Sequence, residues 1–304
     1  MLDFRSELLT NLKLQEFQIC SYVDWPKMKD FIEKQNLISN LSMCNSRYNL
    51  TENDIISIIN NLPLLEVLNL ERNDAFNSTA MKKVLELRHL KILNINQAYN
   101  SFNYDITPRK NFKLVQLQCD GINLNDENFC KLFENLPNLE VLHTSTTTVS
   151  NIGIQSIIKN CKKLTELHFV GSEKITKYGL NGIDPVSSEK TGNCITELKN
   201  LEVLNVRNCH ITKDLPLELK FQNLKKLILT DIFLENSILD ETIFECIRKN
   251  CPNVNYLSVF LKNVDTSEEI ESVIERITEK LGCNIKDWIY HHLQDGFWIS
   301  ISNS

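Results

Sequence analysis

Few side chains in this chain have the types and spacing that chemistry requires. Ten cysteines and six histidines are its soft ligands, but no Cys-x-x-Cys pair occurs and no His/Cys spacing has the form of a zinc site. Cys161 and Cys251 each lie three residues before an apolar anchor, Leu164 or Val254, and Leu62, Leu87, Leu136, Leu198 and Phe221 hold the same place elsewhere. A place that accepts leucine, cysteine and phenylalanine alike is a buried apolar one, so these thiols read as core. His143 and His168 could begin a metal site or a pH-sensitive contact, though two ligands without a third do not make a site. No Gly-x-Gly-x-x-Gly, P-loop or Gly-x-Ser-x-Gly elbow is present. The residues therefore predict no catalytic constellation, no metal and no cofactor.

The elements that position these residues come from an internal repeat, Leu-x-x-Leu-x-Leu. It is clearest at Leu65/Leu68/Leu70, Leu90/Leu93/Ile95, Leu139/Leu142 and Leu201/Leu204/Val206. Further copies are Leu114/Leu117/Cys119, Leu164/Leu167/Phe169, Leu224/Leu227/Leu229 and Val254/Leu257/Val259. Two weaker ones, Leu14/Phe17/Ile19 and Ile38/Leu41/Met43, open the chain. The first residues stand at 14, 38, 65, 90, 114, 139, 164, 201, 224 and 254, so most intervals fall between 23 and 27. Within a copy, alternate apolar positions predict a short strand with one buried face. Between copies, Thr51, Asp126, Ser150 and Asp240 precede helical patterns, and Thr266-Ser-Glu-Glu269 is a capping box opening a helix to about Leu281. A strand and helix of this size cannot bury their own apolar faces, so the units must stack.

The repeat resembles the leucine-rich-repeat family over nearly the whole chain. Asn160-Cys161 through Leu164, Leu167, Ile175, Thr176 and Gly179-Leu180 is similar to its cysteine-containing type, and Asn250-Cys251 and Cys209-His-Ile-Thr212 match parts of it. That type is similar to the repeats of F-box/leucine-rich-repeat proteins, substrate receptors of Skp–cullin ubiquitin ligases. The resemblance implies an α/β leucine-rich-repeat solenoid, a curved horseshoe with a parallel concave sheet and convex helices. It also implies a role in ubiquitin-dependent protein catabolism. No F-box of the Leu-Pro-x-Glu type precedes the repeats, so a Skp-type adaptor is expected only if one is encoded upstream of Met1. Leucine-rich-repeat GTPase activators use an arginine on a loop, whereas Arg72 and Arg207 are expected at concave strand positions.

The expected organisation is one solenoid over 1–304, with about ten repeats over 14–265 and a C-terminal helix and hairpin cap over 266–304. The 37-residue interval after Leu164 holds Asp184 to Gly192, which reads as a surface loop. Tyr99 to Lys113 lacks an amphipathic pattern and reads as irregular. Alternation on either side of Asp295-Gly296 predicts a hairpin, with His291 and His292 on opposite faces. Only Met1 to Lys13 precede the first copy, so that segment caps the stack or a partner does.

Composition narrows the surroundings. A net charge of −6 without a block of lysine or arginine disfavours nucleic acid and anionic membranes as partners. Charges at Asp3, Arg5 and Glu7 and cysteines without a secretory signal point to the cytoplasm or nucleus.

Binding is therefore expected on the concave face, at the third, fifth and seventh repeat positions. In the fifth column His143 and His168 share their place with Gln18, Ser42, Asn69, Asn94, Gln118, Asn205 and Ser258, and are expected on adjacent strands. Towards the C-terminus the three positions read Val203/Asn205/Arg207, Lys226/Ile228/Thr230 and Tyr256/Ser258/Phe260. Aromatic, aliphatic and cationic residues together have the composition of a binding hot spot. The sequence thus predicts a non-enzymatic module that binds a protein, which is a ubiquitylation substrate under the ligase reading. A stand-alone scaffold and a small-GTPase regulator are the alternatives.

Overall fold

The computed structural model describes residues 13–19, 25–44, 50–98, 113–122, 124–145, 148–172, 174–184, 186–207, 209, 220–229, 232–233, 242–262, 267–282, 287–293 and 296–302. The chain divides into two compact units, Met1–Thr146 and Thr147–Ser304. Both have the leucine-rich-repeat build: an α/β arrangement in which short strands form an open sheet and helices return the chain between them.

The first unit carries strands β1 (Glu16–Ile19), β2 (Asn40–Met43), β3 (Val67–Asn69), β4 (Ile92–Asn94), β5 (Gln116–Gln118) and β6 (Val141–Ser145). They pair in chain order and all in parallel, with Leu41, Leu68, Leu93, Leu117 and Leu142 in register. These leucines are fully buried, while their strand neighbours, such as Val67 and Asn69, are half-exposed. Each buried leucine contributes roughly 1.5–3 kcal/mol from apolar burial. The weak copies at Phe17 and Leu41 thus form true strands.

Three backbone devices join one repeat to the next. The carbonyl at the second position accepts two N–H groups from the following repeat, as Ser39 does from Glu66 and Val67 at 2.7 and 2.9 Å. The eighth residue then turns the chain out of the sheet in the left-handed conformation: Arg72, Gln97, Gly121 and Gly171 have φ of 54, 56, 75 and 77°. There the N–H donates to the seventh-position carbonyl of the next repeat: Asn96, Asp120, Ser145 or Arg207. The turn demands a φ that costs an L-residue about 1 kcal/mol, which glycine avoids at two of the four places. Arg72 is consequently in a turn and not at the concave strand position expected from the sequence. Its Nε donates to Gln97 at 2.8 Å.

Helices α1 (Trp25–Glu33), α2 (Glu52–Asn61), α3 (Ser78–Leu85) and α4 (Asp126–Phe133) pack behind this sheet. Thr51 caps α2 in a reciprocal box with Asp54. The cap of α4 is Asn125, one residue before the expected Asp126, because its side chain accepts the N–H of Asn128. Asn77, which opens an Asn-x-Ser/Thr triplet, caps α3 by accepting from Thr79 and Ala80.

The second unit begins with α5 (Asn151–Asn160), capped by Ser150 as predicted, and β7 (Glu166–Val170). It continues through α6 (Lys177–Asn181), β8 (Val203–Asn205), β9 (Lys226–Ile228), β10 (Ile232–Phe233), α7 (Thr242–Asn250), β11 (Tyr256–Lys262), α8 (Ser267–Leu281), β12 (Asp287–Leu293) and β13 (Gly296–Ser302). Strands β7, β8, β9 and β11 are parallel. β13 then joins β11 antiparallel and β12 joins β13, so the predicted hairpin extends the sheet. β10 pairs the far end of β11. The expected surface loop is closed by Asp184, which accepts from the N–H groups of Val186 and Ser187 at 2.8 Å, with Val186 93% exposed. Gln155 fastens its base, giving and receiving 2.7 Å bonds with the Asn193 backbone.

Cys161 and Cys251 are buried, in agreement with the sequence. Burial pushes the Cys161 thiol up to about 12 and the Cys251 thiol to about 11. The predicted caps Asp240 and Thr266, and residues 99–112 of the stretch read as irregular, lie outside the described residues.

Candidate protein-binding face

Period-two alternation directs one side chain in two out of the sheet, and parallel register lines these up as rows across the strands. In the second unit, register pairs Glu166, Val203, Lys226, Tyr256, Ser302 and Asp287 in one row. The next row is His168, Asn205, Ile228, Ser258, Ser300 and Ile289. One step further along, Arg207 and Val170 follow β8 and end β7, and Phe260 pairs Trp298. Strands stand about 4.8 Å apart, so each row is a line of contacting neighbours.

The β7–β8 end of this face is a polar network. His168 Nδ1 lies 3.2 Å from Asn205 Nδ2, and Nε2 lies 2.8 Å from the Glu166 carboxylate. The Asn205 Oδ1 is occupied by the Arg207 N–H at 3.2 Å, which leaves its amide to donate towards His168. That leaves Nδ1 as the ring atom turned to the amide and Nε2 as the one turned to the Glu166 carboxylate. Glu166 was not singled out from the sequence, although it sits two residues before His168 and so on the same strand face. His143 lies on β6 of the first unit. There, burial pushes the Asp120 carboxyl above its usual range, and the His143 charge and the Ser145 hydroxyl act against that rise.

The β9–β13 end is aromatic and cationic. Lys226 Nζ stands 4.6 Å from the centroid of Tyr256, and the Arg207 guanidinium 5.5 Å from that of Trp298. Phe260 tilts against Trp298 with centroids 5.4 Å apart. The Tyr256 hydroxyl donates to Ser300 at 3.2 Å, and Ser258 and Ser300 share a 3.1 Å bond.

The residues predicted to bind thus divide by exposure. Arg207 is exposed, and Val203, Lys226, Ile228 and Tyr256 are half-buried at the face. Asn205, Ser258 and Phe260 are 8, 5 and 9% exposed and are buried within the same rows. Thr230 lies outside the described residues. Trp298, half-buried, and Ile289, 62% exposed, complete the face and were missed. They belong to the hairpin, whose pairing beside β11 the repeat pattern does not encode.

The fold and this face define a repeat protein of leucine-rich build with an amphipathic patch on its open sheet. No protein-family model matches the chain, and no curated protein matches it. Among solved structures, a chain in the crystal structure of the Rad7 and Elc1 complex in yeast is similar at 16% identity. That likeness covers 84% of this chain and 79% of the other at a TM-score of 0.43, too distant to assign a function. Among the described residues no helix is long and apolar enough to cross a membrane.

Proposed function

We propose that this protein is a non-enzymatic binding module that holds a protein partner on the sheet face of its second unit. The observation that carries this reading is the set of aliphatic and aromatic side chains Val203, Ile228, Tyr256 and Trp298 across strands β8 to β13, interleaved with Lys226, Ser258 and Ser300 and flanked by Arg207. Aromatic, aliphatic and cationic side chains together on one sheet face have the composition of an interaction hot spot. Purification of the wild-type chain and Ile228→Asp side by side tests it. Proteins retained by the wild type should be lost from Ile228→Asp while its melting temperature stays unchanged; equal retention refutes the assignment.

The cysteine-containing repeats at Cys161, Cys209 and Cys251 support a narrower reading, substrate recognition for a Skp–cullin–F-box ubiquitin ligase. In that role the module contributes no chemistry; it raises the effective concentration of a substrate near the transfer machinery. Recovery of a Skp-type protein with the full-length gene product supports the ligase reading. Partner recovery without it makes the chain a stand-alone scaffold.

A further inference from the structure

Two cations on this face are held by aromatic rings instead of by carboxylates. Lys162, Lys225 and Lys280 of the same unit form ion pairs with Glu197, Glu202 and Glu245 at 3.0, 2.8 and 2.8 Å. Arg207 and Lys226 form none with a described residue; each stacks on a ring, Trp298 or Tyr256. Stacking settles the aliphatic stem on the ring and leaves the charge unneutralised at the surface. Ile228, the Tyr256 and Trp298 rings and Val203 lie among these two charges, so an occupant meets positive and apolar groups together. Glu166, already beside His168, limits the positive region on the β7 side. Asp287 stands at the β12 end of the Tyr256 row, so the two cations between these acidic ends, neither paired with a described carboxylate, supply local charge complementarity for an acidic ligand.

We propose that the partner docks through an acidic segment in which an aromatic or aliphatic side chain lies next to carboxylates. The carboxylates pair with Arg207 and Lys226, and the apolar side chain packs on Ile228 beside the Tyr256 ring. This rests on the sheet face of the second unit being the binding face. Nucleic acid also offers anions and stacking groups, but the face has only two unpaired cations in the rows described and includes Glu166, too little to hold a phosphate backbone.

The test is binding of the full-length chain to a fluorescein-labelled glutamate–tyrosine copolymer, with a lysine–tyrosine copolymer and a single-stranded oligodeoxynucleotide as comparison probes. The glutamate–tyrosine copolymer should bind best, and affinity should fall about tenfold in Arg207→Glu/Lys226→Glu. Affinity should also fall as salt rises from about 50 to about 300 mM. Circular dichroism melting should show the double variant folded like the wild type; if it is not, Arg207→Gln/Lys226→Gln replaces it and should weaken binding in the same direction. No binding of the glutamate–tyrosine copolymer, tighter binding of the oligonucleotide, or equal binding by the charge-altered chain overturns the inference. If the charge-altered chain binds as before and Ile228→Asp does not, the face stands and only its acidic preference falls. If both bind as before, the face itself is not the site.

Discussion

At Asn69, Asn94 and Asn205 the side-chain carbonyl accepts the backbone N–H two residues further on, at 3.0, 3.0 and 3.2 Å. This explains why asparagine recurs at the fifth position of the repeat, the last residue of its strand, where its intrinsic preference is poor. The side chain satisfies an amide that the short ladder leaves over at the strand end. Asn205→Ala should therefore destabilise the chain by about 1 kcal/mol in denaturant unfolding. The buried thiols are a second residue-scale case. Desolvation pushes Cys119 and Cys161 up to about 12 and Cys209 to about 11, because a thiolate there would lie in apolar surroundings. Their folded pKa values exceed the unfolded one, so the stability they confer is complete below the unfolded thiol pKa. It declines as pH rises through the interval up to about 12. At pH 8 a disulfide reagent should label half-exposed Cys130, Cys194 and Cys246 first and reach Cys119 and Cys161 only after denaturant is added.

At the scale of the element, caps and alternation decide what each segment does. Asn125 is the residue whose side chain accepts the free N–H of Asn128 in the first turn of α4, while Asp126 already lies within the helix. Replacing Asn125 by alanine should cost about 1 kcal/mol in thermal or denaturant unfolding, and Asp126→Ala a few tenths. On β9 the contrast is sharper. Leu227 is buried and Ile228 is half-exposed on the opposite face. Leu227→Asp should abolish the folding transition seen by circular dichroism, while Ile228→Asp should shift it by no more than about 0.5 kcal/mol. Phe260 behaves like the first of these. It is 9% exposed and packed on Trp298, so its truncation would disturb the sheet as well as any contact.

For the molecule as a whole, the two units display different sheet faces. The rows of the first unit carry Val67, Asn69 and Glu71, then Ile92, Asn94 and Asn96, then Gln116, Gln118 and Asp120, which are polar with single aliphatics among them. Among the described residues, the rows of the second unit add the Tyr256 and Trp298 rings and the cations Arg207 and Lys226. Ile92→Asp should accordingly leave partner recovery unchanged, in a purification where Ile228→Asp loses it. The strand positions, the buried leucine columns and the core role of Cys161 and Cys251 were legible in the sequence. Each follows from the local alternation and the repeat interval of about 25 residues, both printed in residue order. The turn geometry was not: nothing in the types Arg72 and Gln97 announces a left-handed residue, and only Gly121 and Gly171 hint at it. Nor could the proposed binding face be completed from the repeat. Trp298 and Ile289 lie outside the period, and strand pairing alone brings them beside Phe260 and Ser300. Short-range order determined which residues are buried, because burial follows the two-residue period of a strand. Tertiary structure decided which exposed residues meet, because long-range pairing joins segments that no periodicity connects.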